Sequence, residues 1–215
     1  MKAMVLEDKD KSLFRKIFHV MTDVSVDKAI FIIFLVMTNT HLVTGNINGS
    51  LAFFPSAVGS GEWWRLVTHP FVHITWYHLL LDGVAFFLLY GELNTQRVSK
   101  KIFYVVICGT CSLITVLLTE PAIYSIGLCG LSGIAHGLMA ISSLEMMREK
   151  ESFKTGSILL SIVVVKSMYE ALAGDVLFSF MHFGLCGSPI AVSHAGGVLG
   201  GLVAYYISRK SLFKD

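Results

Sequence analysis

Six stretches of this chain, residues 29–44, 73–90, 102–119, 126–144, 157–174 and 189–207, are apolar over lengths approaching a bilayer crossing, for which a helix needs about 20 residues. A chain with six such stretches has few options, because in lipid every backbone N–H and C=O must be paired within the protein. The expectation is an all-α membrane protein: a six-transmembrane-helix bundle. Composition agrees, with 54% hydrophobic and 15% charged residues and a mean hydropathy of +0.68, too oily for a water-facing surface. A net charge of +2 with no dense basic tract makes nucleic acid an unexpected partner.

The lysines and arginines predict orientation. Fifteen of the seventeen lie before the first stretch, between the second and third, between the fourth and fifth, or after the sixth. With six crossings all of these fall on one side, and the positive-inside rule puts that side, and both termini, in the cytoplasm. Only Arg65 and Lys166 lie elsewhere. The expected organisation is a cytoplasmic segment 1–28, a membrane domain 29–207 and a cytoplasmic tail 208–215. The opening 28 residues are too charged for a removable signal peptide.

Between the first and second stretches lies a long connection rich in turn residues, carrying Phe53, Phe54, Trp63 and Trp64. It reads as a loop anchored at the lipid interface, with His41 and His69 also interfacial. His73 reads as structural, holding this loop to the second helix.

Polar residues within the apolar stretches are informative, since each costs a few kcal/mol in lipid unless it faces protein or water. Ser132 and His136 are four apart, as are His78 and Asp82, so each pair shares a helix face. His194 is followed by Gly196, Gly197, Gly200 and Gly201, two overlapping small-xxx-small pairs. The second, fourth and sixth helices all run inward. His78, Ser132 and His194 each lie about five or six residues in, hence at one level roughly 8–9 Å below the outer edge. Gly130, Gly133 and Gly137, with the sixth-helix glycines, would let the fourth and sixth backbones approach closely. That would bring Ser132 within reach of His194.

A neutral imidazole beside a serine can take the hydroxyl proton, making the oxygen a nucleophile towards a carbonyl, and return the proton to a leaving amine. The oxyanion so formed needs donors, for which the Ser132 N–H and the His78 side chain are candidates. Gly130 and Gly133 would leave room for substrate.

The combination of Trp64-Arg65, FVHITWYHLLLD at 71–82, GLSG at 130–133 and HAGGVLGG at 194–201 resembles the rhomboid intramembrane serine proteases. The likeness runs from about residue 60 to 207. GLSGIAHG, with a histidine four after the serine, resembles the rhombosortase branch. The resemblance implies a Ser132–His194 dyad, oxyanion support from His78 and the Gly130, Leu131 and Gly133 segment, and no cofactor or metal. For that branch it implies membrane-anchored substrates whose C-terminal signal joins a Gly-Gly motif, an apolar helix and a basic tail. It also implies a bacterial inner membrane, with the site near the periplasmic face. The acyl-enzyme would pass to water or to an amine.

Where the family pattern has His-xxx-Asn, this chain has His78-xxx-Asp82. A carboxylate accepts but cannot donate hydrogen bonds, so Asp82 is expected to orient His78, His136 or His194, with a plain structural hydrogen bond as the alternative. His136 is expected beside His194, or as packing glue. A different enzyme class remains open: His78, Asp82, His136 and His194 could hold zinc. So does an inactive rhomboid-like chaperone.

Lys166 and Glu170, four apart, are expected to form an ion pair on the fifth helix, with a second option that the pair supports a gate for a substrate helix. Cys108 and Cys111 read as packing residues. Cys129 and Cys186 could form a disulfide over the site.

Overall fold

The computed structural model describes residues 25–44, 51–177 and 190–212. Among them the chain is helical and forms no strand, only an isolated bridge between Phe53 and Leu128. Each apolar stretch holds one principal helix: α1 (Val26–Thr38), α2 (Trp76–Glu92), α3 (Val98–Thr119), α4 (Ser132–Met146), α5 (Phe153–Ala173) and α6 (Val192–Ile207). Single turns, including His41–Thr44, Pro55–Gly59, Arg65–Thr68 and Ile123–Ile126, occupy the connections.

Length separates these helices. The span Val26–Thr44 (19 residues), α3 (22) and α5 (21) are each long and apolar enough to cross a membrane, and Arg65–Phe71 with α2, bent by 96°, makes a fourth if the two are one span. The 15 residues of α4 and 16 of α6 give helices only about 22–24 Å long, short of a hydrocarbon core of about 30 Å. The helical stretch expected over 126–144 begins only at Ser132. Gly127 (φ +71°) and Gly130 (φ +100°) take the left-handed backbone that side chains disfavour, and interrupt it. Ser132 is therefore the first residue of its helix. His78 and His194 are each the third residue of theirs.

The outer surface is apolar: Leu118 on α3 is 79% exposed and Leu172 on α5 87%, as expected where lipid replaces water. Inside, aromatic and aliphatic residues of α2, α3, α4 and α6, among them Phe86, Tyr90, Tyr104, Leu138, Ile141 and Tyr205, form the main cluster.

In lipid, helices associate through close packing and hydrogen bonds, without expulsion of water. Here α6 lies between α3 and α4, and its two glycine pairs divide the task. A Cβ at Gly196 would stand 2.7 Å from Thr115, and one at Gly200 2.8 Å from the Cys108 Cα, both on α3. At Gly197 and Gly201 it would overlap the carbonyls of Gly133 and Gly137 on α4. Gly133 itself packs against Ser112 and the Ser193 carbonyl, and Gly137 against Cys108. Gly133 thus allows the close helix approach expected of it, and its Cβ position is taken up by α3 and α6. Ser112 Oγ completes the seam by donating to the Ser193 carbonyl at 2.9 Å.

The first connection does more than lie at an interface. Trp63 and Trp64 are exposed, but Phe53 is buried and exchanges two 2.9 Å backbone hydrogen bonds with Leu128. Arg65 is buried, bound to Glu62 at 2.7 and 2.9 Å and to the Ala52 carbonyl at 2.6 Å. His69 and His41 are buried as well, not interfacial. The His69 carbonyl accepts the Gly130 N–H at 3.2 Å, and the His41 Nε2–H donates to the His73 carbonyl at 2.8 Å. The Arg65 guanidinium and the His69 ring are satisfied within the loop, by Glu62, the Ala52 carbonyl and the Arg65 carbonyl, as buried polar groups require, while the backbone of Phe53 and His69 clamps the segment that leads into Ser132.

Candidate active site

At a helix N-terminus the first backbone N–H groups have no partner within the helix. The Ser132 N–H is one of these, and it donates to Asp82 Oδ2 at 3.0 Å. The serine is thus presented at the end of an irregular, clamped segment, with its amide directed at a carboxylate on α2.

On one side of the serine lies a linked set from α4, α5 and α6. The His194 Nδ1–H donates to Glu170 Oε2 at 2.8 Å. The other carboxylate oxygen of Glu170 takes Lys166 Nζ at 2.7 Å and the Leu177 N–H at 2.8 Å. Lys166 also donates to His136 Nε2 at 2.9 Å, while the His136 Nδ1–H donates to the Ser132 carbonyl at 2.8 Å. The two imidazoles stack at 4.0 Å between centroids and 9° between planes. Every hydrogen bond has an unambiguous donor, because a carbonyl or carboxylate can only accept and an ammonium can only donate. His194 consequently carries a proton on Nδ1, and in the neutral ring its Nε2 is left with a lone pair.

Glu170 was not foreseen here. The sequence supports its ion pair with Lys166, which is present, but the second oxygen reaches another helix. A signal existed: Glu170 lies one turn before the C-terminal end of α5, which, on the expectation that successive helices alternate in direction, is the level of His78, Ser132 and His194, each within the first turn of its own helix. Asp82, expected to orient His78, His136 or His194, lies against His78, while the carboxylate on His194 is Glu170.

On the other side, Asp82 Oδ2 lies 3.2 Å from His78 Nε2 and 3.5 Å from His73 Nε2. Both groups proposed as oxyanion donors, the Ser132 N–H and His78, therefore converge on one atom of Asp82. His73 is structural as expected, its N–H bound to Asn39 Oδ1 at 2.8 Å, yet its ring also joins this cluster. Gly130 abuts it, since a Cβ there would come within 2.7 Å of His78 Nε2 and 3.0 Å of Asp82 Oδ2. Leu131 is 1% exposed and belongs to the core.

Ser132, His78, Asp82 and the whole of the His136, Glu170 and His194 set line a cavity of about 460 Å³ between α2, α4, α5 and α6, with apolar walls from residues such as Leu81, Ala85, Ile162 and Val163. The four residues that could have held one zinc ion do not form a single set. Among the described residues, the groups close enough to share an ion are His73, His78 and Asp82, and separately His136, Glu170 and His194. The possible Cys129–Cys186 disulfide involves a residue outside those described; Cys108 is buried against the α4 and α6 glycines.

Against known proteins, the Rhomboid domain family matches residues 60–211. The chain is also similar to YdcA of Bacillus subtilis (strain 168), a candidate rhomboid protease, at 30% identity over 141 residues, covering 60% of this chain and 66% of that protein. The family match takes in α2 to α6 with every residue of both clusters, so the chain belongs to the rhomboid family.

Proposed function

We propose that the chain is an intramembrane serine endopeptidase with Ser132 as nucleophile, His194 as base and acid, and Glu170 as the residue that positions His194. The carrying observation is the 2.8 Å bond from His194 Nδ1 to Glu170, which leaves Nε2 as the basic nitrogen in the cavity that Ser132 also lines. His194 Nε2 takes the Ser132 hydroxyl proton as Oγ bonds to the scissile carbonyl carbon. The imidazolium then protonates the departing amine as the C–N bond breaks. Glu170 stabilises the imidazolium, and Lys166 and the Leu177 N–H hold Glu170 in place. His136 stacks on the ring and fixes its plane. The Ser132 N–H and His78 receive the oxyanion once the Asp82 carboxylate turns aside.

In this reading six helices cross the membrane with both termini in the cytoplasm, and the site lies near the outer face of a bacterial inner membrane. Such a protein acts on membrane-anchored substrates whose C-terminal signal combines a Gly-Gly motif, an apolar helix and a basic tail. The apolar cavity walls on α2 and α5 suit a substrate helix entering between them. The GLSGIAHG pattern supports this substrate class, and passage of the acyl group to an amine is the transfer variant of the same chemistry. Mass spectrometry of a reconstituted tail substrate tests the whole reading. Cleavage by the wild type and none by Ser132→Ala or His194→Ala is expected, with the mass of the new C-terminus separating hydrolysis from transfer. Equal processing by all three proteins would overturn it.

A further inference from the structure

The proposed proteolytic chemistry leaves one group without a role, the His73 ring. It is fully buried, at 0% exposure, and its two nitrogens have different surroundings. Nδ1 lies 3.2 Å from the Phe71 carbonyl, which can only accept, so Nδ1 carries the proton. In the neutral ring Nε2 then has a bare lone pair. It has no hydrogen-bond partner, and it faces the Asp82 carboxylate at 3.5 Å. A lone pair held against a carboxylate in a buried site is repulsive and costly. His78 brings a second imidazole to the same oxygen, with Nε2 at 3.2 Å. Its Nδ1 is also buried and unpartnered.

A cation between the three atoms resolves the conflict. We propose that His73 Nε2, His78 Nε2 and Asp82 Oδ2 form a binding site for a divalent transition-metal ion beside Ser132.

Several features fit. With bonds of about 2.0–2.1 Å to nitrogen and oxygen, the two separations that involve Asp82 Oδ2, 3.2 and 3.5 Å, put two of the three angles at the ion near 100–120°, bracketing the tetrahedral value, and all three atoms lie within 4.8 Å of one another. Two imidazoles and one carboxylate favour zinc-like ions over magnesium or calcium. A ligating histidine ordinarily donates its other N–H to a carbonyl or carboxylate, as His73 does to Phe71. The missing Cβ of Gly130 leaves space against two of the ligand atoms. His78 and Asp82 line the cavity, which provides entry and a water for the fourth position. The second His-carboxylate set differs in one decisive way: Lys166 already supplies its cation, at 2.9 Å from His136 Nε2 and 2.7 Å from Glu170.

The inference goes beyond the proteolytic reading and, in the ion-bound form, excludes one step of it, because a His78 Nε2 that ligates an ion cannot also donate to an oxyanion. Its test is Co²⁺ binding to the full-length chain in detergent, followed by the visible ligand-field bands of a tetrahedral ion and by calorimetric stoichiometry. Wild type and Ser132→Ala are expected to bind one equivalent alike, so an inactive protein still reports on the site. His73→Phe and Asp82→Asn should each weaken binding by at least the ~10–100-fold that even an outer-shell partner is worth, and His136→Phe should not. Circular dichroism identifies a variant that fails to fold, in which case the other carries the comparison. No Co²⁺ binding by the wild type, or binding lost in His136→Phe and kept in Asp82→Asn, overturns the proposal. So does an imidazole ¹⁵N spectrum showing a doubly protonated His73 in metal-free and cobalt-treated protein alike.

Discussion

Ser132 stands between two clusters of similar composition, each with two imidazoles and a carboxylate, yet the clusters differ in how their charge is balanced. In the His136, Glu170 and His194 set every nitrogen and oxygen facing another has a complementary partner, because the Lys166 ammonium joins His136 Nε2 to Glu170. In the His73, His78 and Asp82 set two ring nitrogens stay unpartnered, and the carboxylate receives the serine's own amide. Residue type alone does not distinguish the two. The presence of one lysine does, by making one set a completed hydrogen-bond relay and leaving the other short of a positive charge.

The largest expected effect that would break this comparison is at the shared centre. Ser132→Ala or His194→Ala should lower cleavage of a tail substrate by about 10⁴-fold or more, with helicity unchanged by circular dichroism. If His194→Ala retained activity, the relay side would have no catalytic meaning.

Next comes the contrast between the two carboxylates. Glu170→Gln keeps the shape but removes the charge that supports a His194 imidazolium, so kcat should fall by about 10²–10⁴-fold with KM little altered. Asp82→Asn should change kcat by about tenfold or less, because the amide oxygen can still accept the Ser132 N–H while its NH₂ can donate to an oxyanion. Steady-state kinetics of both variants in one preparation sharpens the comparison. A reversed order would make Asp82 the positioning residue.

His194 reaches its cluster because α6 lies close against α4. Gly197→Ala places a methyl into the Gly133 carbonyl and should cost about 3 kcal/mol, the upper end for overpacking, read as reduced resistance to denaturation in detergent. Leu199→Ala, at a half-exposed position on the same helix, should be close to neutral. A modest effect is expected for Lys166→Met. It removes the cation from the relay but keeps Glu170 on His194, so turnover should drop by about tenfold, one decade being ~1.4 kcal/mol.

Much of the site was legible before any coordinates. Ser132, His194, His78, Asp82 and His136 stood out as polar residues in apolar stretches, and all five line one cavity. The glycine pairs announced close helix contacts, which α6 makes on two faces. The start of α4 was placed too early, because a hydropathy window cannot see backbone dihedrals at Gly127 and Gly130. The partner of His194 was missed because an i, i+4 lysine seemed to account for Glu170 fully, although a carboxylate has a second oxygen to satisfy.

Local rules in one dimension thus determined the family of this protein, its helical, apolar character and the residues able to do chemistry. Periodicity, charge placement and the cost of polar groups in lipid all act along the chain. Pairing was decided only by the tertiary structure: which carboxylate serves which imidazole depends on rotation and depth of helices far apart in sequence. Glu170 reaches His194 across α5 and α6, and His73 reaches Asp82 from the clamped loop. A few ångströms in those placements set whether a histidine's second nitrogen meets a donor, a carboxylate or a lone pair, and no spacing in the sequence encodes that distance.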